Sequence, residues 1–369
     1  MTAPASRARV LLAGLVVALG AGLLSGPPAQ ASPADQIAKV QGQVRDLQGV
    51  AEGATERYNE ARSNLNTVAR ELVALRQTAG RQSARQQETA RLVDALARAA
   101  YMSGSLDASL QLMLADDPAQ FLAQGAAMEQ LAKSQQSVLR LWHTSTLRLR
   151  QTQAQVQQRT EAARRLSAEM ASAKATADQN LARAQSVLSQ LSAAQRQRLE
   201  RIRLQQRRQA VKAAAAAKRQ LALAARPPKS SVTPPSRKPS TAAQGYVGSS
   251  KAVKAVRFAL SQVGKRYVAA QDGLQTYDCS GLTLAAWRQA GVGLTHYSRS
   301  QYSQTRRVPV SQIRPGDLVF YFGSGAHHVA IYVGNGKMVS ASNPSDGVEL
   351  IDFLGPWYRE RFSGVGRVL

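Results

Sequence analysis

From Val40 onward the apolar positions advance in steps of four and three residues, through Val44, Leu47, Ala51, Ala54, Tyr58, Ala61, Leu65, Val68, Leu72, Leu75 and Ala79. Such a stripe is a heptad seam, the pattern of a helix that packs along a partner helix. Gln, Arg, Glu and Asn occupy its other faces. The seam weakens over residues 80–87 and resumes at Val93 and Leu96. A looser seam follows at Leu131, Val138, Trp142, Leu149, Val156, Ala163, Leu166 and Met170, inside a predicted helix from Ala126 to Ala225. Fully helical, that second arm would extend ~150 Å and the first ~100 Å, so the second overhangs or kinks. Residues 101–131 between them are denser in apolar side chains and are broken by Gly104 and Pro118. Short helices at the tip of a helical hairpin fit that stretch.

The period changes near the C-terminal end. Ala252–Val263 reads as a helix stopped by Gly264, and Leu282–Ala290 as another stopped by Gly291. After Gly316 the chain turns strand-like: 317–322, 328–333, a tight Asn335-Gly336 hairpin into 337–341, then 348–351 and 365–368. The expected architecture is an all-α coiled-coil hairpin followed by a compact α+β domain, helices first and an antiparallel sheet after them.

Charge and punctuation divide the chain further. Arg7 and Arg9 precede an apolar run from Val10 to Leu24 and a small-x-small site at Ala29-Gln30-Ala31. This is the pattern of a secretory signal peptide, with cleavage after Ala31; an uncleaved anchor is the alternative. Of the net charge of +25, the leader's Arg7 and Arg9 carry 2, so +23 acts outside the cytoplasm, which sets nucleic acid aside as partner. No acidic residue lies between Glu200 and Asp272. That basic segment is either a solvated helix face or an attraction for anionic wall polymers and membrane headgroups. It lacks aromatics from Arg201 to Gln244, the stacking platforms of single-stranded nucleic acid. Residues 226–249, rich in Pro and Ser, read as a linker. The expected division is 1–31 signal peptide, 32–225 coiled-coil arm, 226–249 linker and 250–369 α+β domain, tethered to the rod.

The chain has one cysteine, Cys279, so no internal disulfide can form. It precedes the helix of Leu282–Ala290, and a helix N-terminus favours thiolate over thiol. The motifs Asp278-Cys279-Ser280-Gly281-Leu282, Arg314-Pro315-Gly316-Asp317-Leu318-Val319-Phe320-Tyr321 and His328-Val329-Ala330-Ile331-Tyr332-Val333-Gly334 resemble, in order, those of the NlpC/p60 family of cell-wall cysteine peptidases. The resemblance covers roughly residues 250–369 and implies a papain-like fold. It implies Cys279 as nucleophile and His328 as base. The third position, usually His, Asn, Gln or Glu in the family, is Ser340 here. Either Ser340 bonds the histidine through a water, or another group substitutes, or activity is reduced. Tyr267 stands where the family has a tyrosine near the reacting carbonyl, and Ser280 and Ser298 fall in its substrate and oxyanion positions. Lys265-Arg266 and Ala269-Ala270 depart from the family around Tyr267. His296 falls outside the catalytic positions and reads as a surface residue. No metal or cofactor is implied.

The expected activity is hydrolysis of peptidoglycan stem peptides between D-glutamate and the diamino acid by a secreted, wall-associated enzyme. The alternatives are a catalytically weak wall-binding or division scaffold, or other acyl chemistry at the same site. The 101–131 stretch resembles the arm tip of other secreted wall hydrolases, some of which dock on a division complex of the FtsE–FtsX type; a self-packed bend is the other reading. A rod on a flexible linker could also hold the catalytic groove closed.

Overall fold

A computed structural model describes residues 33–102, 118–224, 250–273, 275–323 and 327–369. The signal-peptide reading, residues 103–117 of the expected tip and the 226–249 linker lie outside the described residues. Helix α1 spans Pro33–Met102 and α2 spans Pro118–Ser189. They run antiparallel: Gln36 of α1 meets Gln195 beyond the end of α2 (2.9 Å), Glu71 meets Arg159 (3.1 Å) and Thr89 meets Ser145 (3.1 Å). Val44, Ala51, Ala54, Ala61, Val68 and Leu72 of the first seam are buried, whereas Leu131 and Trp142 of the second are exposed. Two helices alone cannot surround a seam, so its distal part stays half open.

The unequal arm lengths are resolved by a break. The second arm starts at Pro118, which opens α2 instead of ending a short tip helix, and stops at Ser189. Helix α3 then runs over Ala193–Ala224. Ser192 and Gln195 form a reciprocal cap: Ser192 N–H donates to Gln195 Oε1 (2.9 Å), and Gln195 N–H to Ser192 Oγ (3.2 Å). Leu191 and Leu199 bury against Ile37 of α1 at this corner. Beyond it α3 lies against the C-terminal domain, placing Ala214 and Leu221 in that domain's core. The tethered arrangement expected from the sequence is thus replaced by a docked one, and full burial of one leucine such as Leu221 contributes about 1.5–3 kcal/mol. The basic segment is in part an interface, with Arg203 Nε 4.0 Å from Asp346 Oδ1.

The C-terminal domain begins with α4 (Ser250–Gln262) and a short parallel pair, β1 (Arg266–Tyr267) and β2 (Thr276–Tyr277). Helices α5 (Cys279–Arg288) and α6 (Ser298–Gln304) follow. The strands β3 (Arg306–Val308), β4 (Leu318–Tyr321), β5 (His328–Gly334), β6 (Lys337–Asn343) and β7 (Gly347–Asp352) come next, then helix α7 (Pro356–Arg359) and β8 (Phe362–Arg367). The sheet is antiparallel in the order β3-β8-β4-β5-β6-β7. Asn335 and Gly336 both have positive φ (53° and 71°), which a two-residue hairpin of the right twist requires. Residues alternate across the sheet. Leu318, Phe320, Val329, Ile331 and Val339 face α4 and α5, and Val319, Tyr321, Ala330, Tyr332 and Met338 build a second core on the other side. This is the α+β domain with an antiparallel sheet behind a coiled-coil hairpin that the periodicity predicts.

Candidate active site

Asp278 starts α5. Its backbone is extended (φ −93°, ψ −178°) and its Oδ1 accepts the Gly281 N–H at 2.7 Å, an N-cap that fixes the first turn. Cys279 is therefore the first helical residue, and it is buried. His328 begins β5, opposite the helix start, and is 1% exposed. Its Nε2 lies 2.9 Å from Ser340 Oγ on β6, so no bridging water is needed between them. Tyr267 is buried close enough for the Cys279 charge to act on it. Ser280 is buried beside Cys279, and the Ser298 N–H points into the same space from α6. The six residues singled out in the sequence converge on one site.

A second set of side chains comes from the rod, and the sequence reading missed it. Glu52, Glu56 and Asn59 project from α1 into the groove. Glu52 Oε1 makes a short contact with His328 Nδ1 and also hydrogen-bonds the Cys279 thiol. Glu56 Oε1 accepts from Ser280 Oγ (2.7 Å) and from the thiol (3.4 Å), while Oε2 accepts the Ser298 N–H in a short bond. Asn59 Nδ2 donates to Asp278 Oδ2 (3.0 Å), and Gln48 Nε2 to Ser345 Oγ (2.8 Å). Glu52 thus occupies the imidazole nitrogen that faces the thiol.

One glycine, Gly53, permits this approach. A Cβ on Gly53 would lie 2.1 Å from His327 Nδ1, and one on Gly49 would touch the Trp357 ring at 3.7 Å. Glycine inside a helix costs roughly 0.5–1 kcal/mol relative to alanine, so close packing is the gain that offsets it at Gly53.

The electrostatics of this closed site oppose a thiolate. Burial pushes the Cys279 thiol well above its usual range, and the nearby Glu56, Glu52 and Asp278 push it further. The expectation from the helix N-terminus is reversed here, because the helix end competes with three carboxylates in a dry pocket. Burial raises Glu56 to about 7, helped by Asp278, and burial raises Glu52 against the pull of His328. His296 is not a surface residue. It is half-buried with Nε2 2.9 Å from Asp278 Oδ1; burial works against its protonation, but that carboxylate outweighs burial and raises its pKa. Among the described residues, Glu52, Cys279 and His328 are the one trio whose donor atoms, all within 4.8 Å of each other, could hold a metal ion. The acid-to-base hydrogen bonds already account for that closeness.

Residues 264–367 match the NlpC/P60 family, and the chain carries an NlpC/P60 domain at its C-terminal end. The probable endopeptidase p60 of Listeria monocytogenes is 42% identical over 111 residues, 30% of this chain and 22% of the relative. The peptidoglycan endopeptidase RipA of Mycobacterium tuberculosis is 37% identical over 120 residues, 28% of this chain and 25% of the relative. The match thus spans about a quarter or less of these relatives' length. Among solved structures, an NlpC/P60 family protein from Bacillus cereus is 30% identical, with a TM-score of 0.31 over 32% of this chain and 40% of that one.

Proposed function

We propose that the chain is a secreted cysteine endopeptidase that hydrolyses peptidoglycan stem peptides and is held latent by its own rod. The observation that carries this reading is the convergence of Cys279 and His328 in a domain of the NlpC/P60 family, with rod carboxylates seated on both. Once α1 withdraws, His328 Nδ1 is free to take the thiol proton. The Cys279 thiolate attacks an amide carbonyl, and the N–H groups at the start of α5, with Tyr267, stabilise the oxyanion. The imidazolium protonates the leaving amine, and the neutral ring then activates water to release the acyl group. Ser340 orients the ring.

The seat of Glu56 supports the D-glutamyl bond as target. The Ser280 hydroxyl and the Ser298 N–H already hold a carboxylate beside the thiol. In a γ-D-glutamyl substrate, two methylene groups and the α-carbon separate the attacked carbonyl from a free α-carboxylate, which fits that seat. Amidation of this carboxylate in a synthetic stem peptide is expected to raise KM; an unchanged KM would remove the seat from the substrate site.

Secretion through the leader at residues 1–31 and action at the wall belong to the same proposal. So does release of the rod by a partner of the FtsE–FtsX type docked near residues 101–131. Anionic wall polymers or headgroups remain candidates for the exposed part of the basic segment. No described helix is long and apolar enough to cross a membrane.

Latency on this geometry depends on pH. The carboxyl of Glu56 titrates near 7 in the closed site and near 4.5 when solvated. A carboxyl with a raised closed-state pKa favours closure below its solvated pKa, and that contribution is lost as pH rises through the closed-state value. The window is therefore between about 4.5 and 7, and the shift corresponds to about 3 kcal/mol. Alkylation of Cys279 in the full chain, normalised to a free thiol, is expected to accelerate across that window. In Glu56→Gln, which cannot ionise, the acceleration should shrink to what the buried Glu52 contributes. An unchanged midpoint in the Gln variant would show that another group controls closure.

A further inference from the structure

The serine at the third catalytic position lies at the start of a longer chain of polar groups. Ser340 faces Glu349 directly across the β6–β7 ladder. Ser342, two residues along β6 and on the same face, donates from its Oγ to Ser340 Oγ at 3.1 Å. Ser342 also hydrogen-bonds the Glu349 side chain, and it accepts from Tyr358 OH at 3.3 Å. Ser340 and Ser342 are buried. A continuous path of side-chain oxygens therefore runs from His328 Nε2 through Ser340 and Ser342 to the Glu349 carboxylate. A cleft of about 630 Å³ passes Glu52, Ser342, Glu349 and Tyr358, so water reaches its outer end.

We propose that Glu349 is the anionic third member of the catalytic machinery, acting on His328 through the two serine hydroxyls. Hydroxyl hydrogens rotate to suit their neighbours. Ser342 donates to Ser340 in the closed site; with Glu349 ionised, Ser342 turns its hydrogen to the carboxylate and Ser340 turns its own to Ser342, so that His328 Nε2–H donates to Ser340. That polarity favours the imidazolium and fixes the ring with Nδ1 toward the thiol. A lone serine offers an acceptor without charge; the relay supplies the charge from two residues away. Glu349 touches neither substrate nor thiol, so it is a positioning residue. Burial, followed by Asp346, raises its pKa to about 7, and His328 lowers it, which couples the two ends of the path electrostatically. Arg203, 4.0 Å from Asp346 Oδ1, tempers that acidic neighbour.

This inference rests on the catalytic reading of Cys279 and His328, and its test does not need the wall substrate. In the full chain opened by Gly53→Leu, the rate of Cys279 alkylation by iodoacetamide at pH 7 reports the thiolate–imidazolium pair. Glu349→Gln is expected to slow it about tenfold, the low end for loss of an orienting partner, and to lower kcat on stem peptide with KM unchanged. Glu349→Asp should recover part of both, and Ser342→Ala, which cuts the path, should match Glu349→Gln. Equal alkylation rates in Glu349→Gln and its parent would overturn the proposal. So would a loss in Glu349→Gln that Ser342→Ala does not share.

Discussion

Gly53→Leu in the full-length chain is expected to raise hydrolysis of purified peptidoglycan by one to two orders of magnitude at pH 6. Leucine is a better helix former than glycine, so α1 itself gains. The new side chain, however, meets the His327 ring, whose Nδ1 would stand 2.1 Å from even the first added carbon. Overpacking of this kind costs typically about 1–3 kcal/mol. That strain can be relieved by lifting α1, which removes Glu52 from His328 and Glu56 from Cys279. Gly49→Ala is the control, because its Cβ would make ordinary contact with Trp357 at 3.7 Å and leave α1 seated. If Gly53→Leu folds with unchanged helicity and its activity does not rise, α1 is not what restrains the site.

Cys279→Ala in that opened chain is expected to abolish turnover, a fall of at least about 10³-fold. Nucleophile, base and orienting group act as a unit, so removing the attacking atom forfeits nearly all of the chemical step. Ser340→Ala should cost less, about 10–100-fold by analogy with residues that orient metal-bound histidines, because His328 and the thiol both remain. Rates of product release from peptidoglycan, with melting temperatures recorded alongside, check both changes. Persistent turnover in Cys279→Ala would move the chemistry elsewhere. An opened chain inactive even with Cys279 intact would favour the scaffold reading.

Much of this architecture was legible because two periodicities carry it. The 4-3 seam specified α1, and the strand-like runs with Asn335-Gly336 specified the sheet, since both patterns follow directly from which faces are buried. The arm lengths called for an overhang or a kink, but the kink could not be placed because hydrophobic spacing continues across it; its signal is Ser192 with Gln195 three residues on, a capping pattern visible in sequence. Cys279 and His328 were accessible through motifs, whereas Glu52, Glu56 and Asn59 were not. Along a helix they form a polar stripe that is indistinguishable from a solvated face, and only a docked partner makes it an interior. Gly53, inside a long helix, was the available hint of close approach. His296 was misplaced for a related reason: its partner Asp278 comes within reach only after α5 and the loop before α6 have folded together. The relay to Glu349 was likewise hidden, because strand register is what sets Ser340 opposite it.

The measurement that bears most directly on the central claim is mass analysis of the fragments released from purified peptidoglycan by the full chain, wild type and Gly53→Leu side by side at pH 6. Little release by the wild type is expected. The opened chain should yield fragments ending in D-glutamate with a free γ-carboxyl, alongside fragments with a new amine on the diamino acid. Equal release by both chains would contradict latency, and cuts at any other bond by the opened chain would contradict the assigned substrate.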